Sequence, residues 1–79
     1  MEAIARRKLS HEVSDRLIAA IEGGEYPPGC QLPSERELMA RWGVGRPAIR
    51  EALQALEQMG LIRIKHGERA RVIVPTAET

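Results

Sequence analysis

Two arginines one helical turn apart are the residues of this 79-residue chain best suited to chemistry, and that chemistry is recognition of an anion. At about 100° per residue, Arg46, Arg50 and Gln54 fall along one flank of a helix. Pro47 and Ala48 beside them are small. A helix whose first turns offer arginine donors and little bulk can lie in a DNA major groove, with its positive dipole end facing phosphate. The alternative is the solvated face of an ordinary helical hairpin.

The helix that carries these arginines has a start, a buried face and an end in the sequence. Pro47 suits a first helical turn, because the N–H that it lacks would have no intrahelical partner there, so the helix is predicted to begin near Gly45 or Arg46. Apolar residues follow in the i, i+3, i+4, i+7 pattern of a core-packed helix: Ile49, Ala52, Leu53 and Leu56. Gly60 is predicted to end the helix.

A shorter helix precedes it across a turn. Ser34 and Glu37 have the spacing of a capping box, in which each side chain satisfies an unpaired backbone N–H, and this predicts a helix start at Ser34. The apolar positions of this helix are Leu38, Met39 and Trp42. Gly43-Val44 then breaks the pattern and allows a turn. Residues 32–60 therefore have the outline of a helix-turn-helix, a geometry that also occurs in proteins that never bind DNA.

The first helix has a different character. Ser10 can cap its start and Gly23-Gly24 can stop it. Apolar residues recur with helical spacing at Val13, Leu17, Ile18 and Ile21. Its acidic residues, Glu12, Asp15, Glu22 and the following Glu25, make it a poor partner for a polyanion, so we interpret it as scaffold. Residues 1–8, which end in Arg6-Arg7-Lys8, are interpreted as a basic N-terminal arm, either disordered or in contact with phosphate.

A β-hairpin is predicted after the long helix. Residues 61–65 and 69–72 alternate apolar and basic side chains with the period of half-buried strands, and His66-Gly67-Glu68 supplies the reversal. The residues predicted to point outward are Arg63, Lys65, Arg69 and Arg71. Because a lone hairpin is marginal in water, it should pack on the helices and add Gln31-Leu32 as a third strand.

The order helix, short strand, helix, helix, hairpin predicts a mainly α fold with a small β-hairpin, a winged helix-turn-helix of three helices plus a wing. We place this domain at residues 9–74, the helix-turn-helix at about 34–59 and the wing at about 61–74, with residues 75–79 as the start of a linker. A chain of this length forms one small domain, which buries only about 60–65% of its unfolded surface.

The charge pattern favours a nucleic-acid partner. Although the net charge is only +1, residues 36–50 carry four basic residues against one acidic residue, and so do residues 61–74. Two basic segments on one face are the electrostatic footprint expected for nucleic acid, because a charged hairpin can touch flanking phosphates or the minor groove while the helix occupies the major groove. The alternative use of these cations is to keep an exposed sheet edge soluble.

Several other classes of protein are disfavoured. His11 and His66 lie in different segments, and no nucleophile is paired with a base, so an enzyme is not expected. The single cysteine, Cys30, excludes an internal disulfide and a metal site with cysteine-pair spacing, and we interpret it as a small filler near a turn. No metal and no cofactor are expected in this chain. No apolar run approaches the roughly 18 residues of a membrane span, and no signal peptide is visible, so we expect a soluble, cytoplasmic protein.

The motifs closely resemble a known family. The run LPSERELMARWGVGRPAIREALQALEQMGLI and the hairpin IKHGERARVIV are similar to the N-terminal DNA-binding domain of the GntR family of bacterial transcription regulators, over roughly residues 6–74. The form GRPAIREAL is nearest to the subfamily that includes the fatty-acid regulators. A weaker likeness, in SERELMA, VGRP and GERARV, is to the sialic-acid-responsive regulators of that subfamily.

The resemblance implies a set of DNA contacts. Carried over position by position, they are Arg36, Gly45, Arg46, Pro47, Ala48, Arg50, His66 and Gly67, and an outer set is Ser34, Lys65 and Arg69. Many relatives have Ser or Thr where Gly45, Pro47 and Ala48 stand here. We therefore expect these three to offer backbone N–H groups and apolar contact with a thymine methyl. The usual Gly-Thr-aromatic-Val wing is replaced by residues 68–72, so the groove contacts of this wing are not carried over.

The resemblance also implies the larger protein around such a domain. Family members carry a C-terminal domain that binds a metabolite and forms a homodimer. They recognise palindromic operators in double-stranded DNA. We expect the regulator that contains this domain to be a repressor. We interpret the chain as the DNA-binding fragment of such a regulator in preference to an unusually short member. The competing functional class is a winged-helix module that binds another protein and no DNA.

Overall fold

Three helices and a two-stranded antiparallel sheet make up the computed structural model, which describes the backbone of residues 2–74 and the side chains of residues 8–74. The helices are α1 (Glu2–Glu22), α2 (Glu35–Trp42) and α3 (Arg46–Gln58). The strands are β1 (Ile62–Arg63) and β2 (Arg71–Val72). The predicted fold is confirmed, while the predicted linker, residues 75–79, lies outside the described residues.

The first helix begins earlier than the sequence patterns predicted. It starts at Glu2, so Ser10 is not its cap but a residue of its interior, only 5% exposed. Residues 2–8, interpreted above as an arm, form the first two turns of α1. The physical reason is that no glycine or proline interrupts residues 2–9, most of which are good helix formers, and a serine alone does not stop a helix. At the other end, the helix stops as predicted at Gly23 and Gly24, where Gly24 adopts a φ of 90°.

The predicted capping box of α2 is confirmed. The backbone N–H of Glu37 donates to Ser34 Oγ at 3.1 Å, and the backbone N–H of Ser34 donates to Glu37 Oε1 at 2.9 Å. Gly43 ends the helix in the left-handed region, at a φ of 64°, and its N–H donates to the Met39 carbonyl at 2.8 Å. Two residues later Gly45 is the N-cap of α3, and Pro47 occupies its first turn as predicted.

One apolar core joins all the elements. The predicted stripe on α3 is buried throughout, with Ile49, Ala52 and Leu56 fully shielded from solvent. The other members of the core come from α1, from α2, from the segment between them and from the wing: Val13, Leu17, Tyr26, Leu32, Leu38, Ile62, Ala70 and Val72. Because helices of 8 to 13 residues are marginal alone, this shared burial is what holds α2 and α3 in place.

The wing is anchored by a third extended segment. In the hairpin Ile62 pairs with Val72 and Arg63 with Arg71. Residues 30–32 run along the other edge of β2, where the Leu32 N–H donates to the Ala70 carbonyl at 2.8 Å and the Val72 N–H donates to the Cys30 carbonyl at 2.9 Å. The predicted pairing of Gln31-Leu32 is thus confirmed as an isolated bridge, between Gln31 and Arg71.

The two strands of the hairpin are shorter than predicted. Only two residues of each make ladder pairs, and residues 64–70 form a longer connection with Gly67 in the left-handed region. The Ile64 N–H donates to Glu57 Oε2 of α3 at 3.1 Å, and this side-chain acceptor on the neighbouring helix takes the amide away from the ladder. The predicted alternation of buried and exposed side chains nevertheless holds at Ala70, Arg71 and Val72.

The capping box gives a stability prediction. Ser34→Ala leaves the Glu37 N–H without its side-chain acceptor and should lower the free energy of unfolding by about 1 kcal/mol, within the range of 0.5–2 kcal/mol typical of such caps. Ser34→Asp is the matched control, since its carboxylate can accept the same hydrogen bond and should retain most of the stability. Urea unfolding followed by circular dichroism measures both, and equal stability of Ser34→Ala and the parent chain would contradict a capping role.

The pH dependence of the same motif has a defined sign. The hydrogen bond from the Ser34 backbone, with help from Arg69 and Arg41, holds the pKa of Glu37 below its ordinary value of 4.5. A carboxyl whose pKa is lowered on folding stabilises the folded state above its unfolded pKa, and this stability is lost as the pH falls through the lowered value. Unfolding of Glu37→Gln should therefore depend less on pH below about 4.5 than unfolding of the parent chain.

Candidate nucleic-acid interface

An open cleft runs between α3 and the wing. It has a volume of about 760 Å³, and the first turn of α2 contributes to its lining. The residues that line it are Pro33, Ser34, Glu35, Arg36, Arg46, Arg50, Leu53, Gln54, Ile64, Lys65, His66, Gly67, Glu68, Arg69 and Ala70. Three separate chain segments thus bring five basic residues, Arg36, Arg46, Arg50, Lys65 and Arg69, to one concave surface, which we call the basic cleft.

Most of the predicted contact residues lie in this cleft. Those that line it are Arg36, Arg46, Arg50, His66 and Gly67, together with the outer set Ser34, Lys65 and Arg69. Gly45 and Pro47 are exposed at the start of α3, just outside the lining. His66 and Gly67 form the exposed turn at the tip of the wing, where Gly67 has a φ of 77°. The fold therefore assembles a surface from residues that are up to 35 positions apart in the sequence.

Ala48 is the exception. It is only 2% exposed, so the prediction that its side chain contacts a thymine methyl is wrong. The reason is helical geometry, because two residues after Arg46 the helix has turned by about 200°, which carries position 48 to the core side beside Ile49. Its backbone N–H is still one of the unpaired donors of the first turn of α3.

Sequence reasoning missed an acidic residue of the cleft, Glu35, which contacts two of its arginines. Arg46 Nη1 donates to Glu35 Oε1 at 3.1 Å. Arg50 Nε donates to both carboxylate oxygens of Glu35, at 3.4 Å to Oε1 and 3.2 Å to Oε2. The basic segment recognised in the sequence, residues 36–50, begins one position after this carboxylate. The only sequence signal was the place of Glu35 in the first turn of a capped helix, and nothing local indicated contact with residues 11 and 15 positions away.

These ion pairs leave the arginines available. The side chains of Arg46 and Arg50 are 46% and 61% exposed, and that of Glu35 is 29% exposed. Pairs this open to water are worth between zero and about 1 kcal/mol each, so a phosphate or a base edge can compete for the guanidinium groups. Leu53, Ile64 and Ala70 contribute apolar surface to the same cleft. The cleft can bind an extended anion with hydrogen-bond acceptors along it.

One basic residue of the wing, Arg71, holds the wing in place. Arg63 and Arg71 are directly opposite in the hairpin register, where like charges are unfavourable. Arg71 Nη1 donates to the Gly29 carbonyl at 2.7 Å, which ties the wing to the turn before α2. We therefore assign Arg71 to positioning of the wing, whereas Lys65 and Arg69 face the cleft.

The described residues form no metal-binding cluster, no cysteine pair and no membrane-spanning helix. Within residues 8–74 no three His, Cys, Asp or Glu side chains approach closely enough to hold a metal ion. Cys30 is a free thiol that donates weakly to the Gln31 carbonyl and packs against the core. Among the described helices, none is long and apolar enough to cross a membrane.

Comparison with known proteins identifies the family of this architecture. Residues 9–72 match the family model described as bacterial regulatory proteins, gntR family. The chain is 57% identical over 76 residues to the HTH-type transcriptional repressor NanR of Klebsiella aerogenes, and 55% identical to NanR of Escherichia coli strain K12. Each alignment covers 96% of this chain and 29% of the relative, so the chain spans less than a third of the length of these repressors.

Solved structures agree with the sequence comparison. The DNA-binding domain of AraR in complex with operator ORE1 superposes with a TM-score of 0.79 at 31% identity, over 81% of this chain and 78% of that one. YtrA from Sulfolobus acidocaldarius, a GntR-family transcription factor, gives a TM-score of 0.76 at 31% identity, over 85% and 70% of the two chains. The expected family and winged-helix fold are confirmed, and the likeness to sialic-acid-responsive members is supported. These relatives are transcription regulators, not enzymes.

Proposed function

Because the chain belongs to the gntR family of bacterial regulatory proteins, we propose that it is the sequence-specific, operator-recognising unit of a bacterial metabolite-responsive transcription repressor. The observation that carries the proposal is the basic cleft, in which cations from α2, α3 and the wing face one concave surface. Backbone phosphates would meet the cations at the rim, while the first turns of α3 would enter the major groove.

The places of these residues in and beside the cleft support a separate role for each of them. Arg46 is in the first turn of α3, where a side chain would reach farthest toward base edges, while Arg50 lies one turn further along the helix, farther from the groove floor and better placed for a phosphate. Arg36 on α2 and Lys65 and Arg69 on the wing flank them, in positions suited to phosphate. Gly45, Pro47 and Ala48 contribute no polar side chain. Of the three, Gly45 and Ala48 retain a backbone N–H, and these amides add the positive end of the helix dipole.

The wing completes the interface. His66 and Gly67 are exposed at its tip, and Gly67 brings the backbone close to any ligand because it has no side chain. A hairpin tip of this size can enter the minor groove beside the site that the recognition helix occupies. The AraR domain, which shares this fold, was solved in complex with operator DNA, and this supports the same mode of binding here.

We extend the proposal to the whole regulator. The NanR relatives are more than three times as long as the aligned segment, so this chain corresponds to a part of such a protein. The remaining part would bind a metabolite and form a homodimer, in the cytoplasm, and two copies of the domain would recognise the two halves of a palindromic operator.

Two arginine substitutions test the assignment of base recognition. An arginine that donates to guanine O6 and N7 gives roughly 1–3 kcal/mol of discrimination against the wrong base. Arg46→Ala should therefore abolish the preference at one base pair of each half-site, whereas Arg50→Ala should weaken binding to all sequences about equally. Both should stay folded, because neither side chain is buried. Selection from a pool of randomised duplexes measures the preference, and circular dichroism checks the fold. An unchanged sequence logo for Arg46→Ala would place base recognition on another residue.

Dimerisation provides a separate test. The surface of one domain is small, so the chain alone should bind duplex DNA weakly. A dimerising coiled coil fused after Thr79 should raise affinity for a palindromic duplex through effective concentration, by tenfold or more. The matched control carries the same coiled coil with core substitutions that keep it monomeric. Equal affinity of the two fusions for the palindrome would contradict recognition of a two-fold site.

A further inference from the structure

The carboxylate of Glu35 is in an unexpected place for a surface that binds a polyanion. It lies in the basic cleft and contacts both Arg46 and Arg50, the two arginines of the recognition helix. A negative charge there lowers attraction to phosphate. It also belongs to a different helix, so its contact with α3 depends on the tertiary fold. We propose that Glu35 is a positioning residue that fixes the orientation of both guanidinium groups and thereby determines sequence discrimination, an inference that rests on the proposed DNA-binding function.

The hydrogen-bond pattern supports this role, because the carboxylate uses only part of each guanidinium. A guanidinium has five N–H donors arranged in flat two-donor edges. Arg46 donates to Glu35 through Nη1, which leaves the edge formed by Nε and Nη2 free. Arg50 donates to Glu35 through Nε, which leaves the edge formed by Nη1 and Nη2 free. Each arginine therefore keeps one complete edge for a bidentate ligand while the carboxylate limits its rotation.

The two free edges suit two kinds of acceptor. Guanine presents O6 and N7 as a pair, and phosphate presents pairs of oxygens, so both accept a two-donor edge. A free arginine side chain samples many rotamers and can meet phosphates of any sequence. An arginine held by a carboxylate has fewer orientations and reaches a base edge at less entropic cost. The negative charge also weakens attraction to every phosphate, and on DNA of the wrong sequence no bidentate contact with a base offsets this loss.

Three substitutions separate charge from geometry. Glu35→Gln removes the charge and keeps the size of the side chain. Glu35→Asp keeps the charge and withdraws the oxygens from the arginines. Glu12→Gln, on the exposed acidic face of α1, makes the same change of charge away from the cleft and serves as the control. None of these positions is in the core, and circular dichroism checks that each variant folds.

The experiment measures affinity of the 79-residue chain, at low salt, for two fluorescent duplexes. One is the sequence that the parent chain selects from a randomised pool, and the other has the same composition in shuffled order. We expect Glu35→Gln to bind the shuffled duplex more tightly than the parent chain does, and the ratio of the two affinities to fall at least about fivefold, which corresponds to loss of about 1 kcal/mol of discrimination. Glu35→Asp should also lower the ratio of the two affinities, but its affinity for the shuffled duplex should not rise. Glu12→Gln should have the same ratio as the parent chain.

A measurement without DNA keeps this inference distinct from the proposed function. In an NMR spectrum of the arginine side chains, the Nε–H signal of Arg50 should be shifted in the parent chain, and it should move toward the position of a free arginine in Glu35→Gln, whose neutral amide oxygen is a weaker acceptor. An Nε–H signal that does not respond overturns the pairing itself. An unchanged affinity ratio in Glu35→Gln overturns the positioning role. Absence of duplex binding by the parent chain, with the NMR shift present, overturns the DNA-binding function and leaves the pairing established.

Discussion

Burial of one face of α3 is the constraint on which the rest of the structure depends. Ile49, Ala52 and Leu56 are fully shielded, and with Leu53 they lock the rotation of the helix about its axis. Once that rotation is fixed, Arg46, Arg50 and Gln54 must face away from the core, and Ala48 must face into it. A slip of one residue would turn the helix by about 100° and carry the arginines off the cleft. Recognition of a ligand by this helix is therefore a consequence of core packing.

The cleft also needs the wing at a fixed distance from α3. Three contacts hold it there: the hydrogen bond from the Ile64 N–H to Glu57, the pairing of residues 30–32 with β2, and the hydrogen bond from Arg71 to the Gly29 carbonyl. The hairpin alone has two ladder pairs and would not be stable in water. Its position is thus set by long-range contacts, and these bring Lys65 and Arg69 to the same cleft as Arg46.

Local signals in the sequence predicted most of the fold because each element begins or ends at a residue with a specific chemical role. Ser34 with Glu37, Gly43, Pro47 and Gly60 mark boundaries that the structure places where they were expected. The start of α1 was missed because Ser10 has the type of a cap but lies between good helix formers. The strand lengths were missed because the acceptor for Ile64 is on α3, which no pattern within residues 61–72 reveals.

The site was predicted less completely than the fold, for a related reason. Residue type and periodicity placed Arg46 and Arg50 on the exposed flank, and family resemblance supplied the wing tip. The same resemblance placed Ala48 among the contacts, although helical geometry buries it. The role of Glu35 was missed because an ion pair between α2 and α3 depends on the angle between those helices, and residue spacing does not give that angle.

The central claim is that four cations of the basic cleft, Arg36, Arg50, Lys65 and Arg69, neutralise phosphates, and the salt dependence of duplex binding tests it most directly. Log affinity should fall linearly with log salt concentration, with a slope of about −0.9 for each phosphate neutralised. Arg50→Ala removes one phosphate contact and should make the slope less steep by about 0.9. Arg16→Ala, an exposed arginine on α1 outside the cleft, should leave it unchanged. A slope near zero for the parent chain, or an equal change for the two variants, would contradict the account and favour a protein partner.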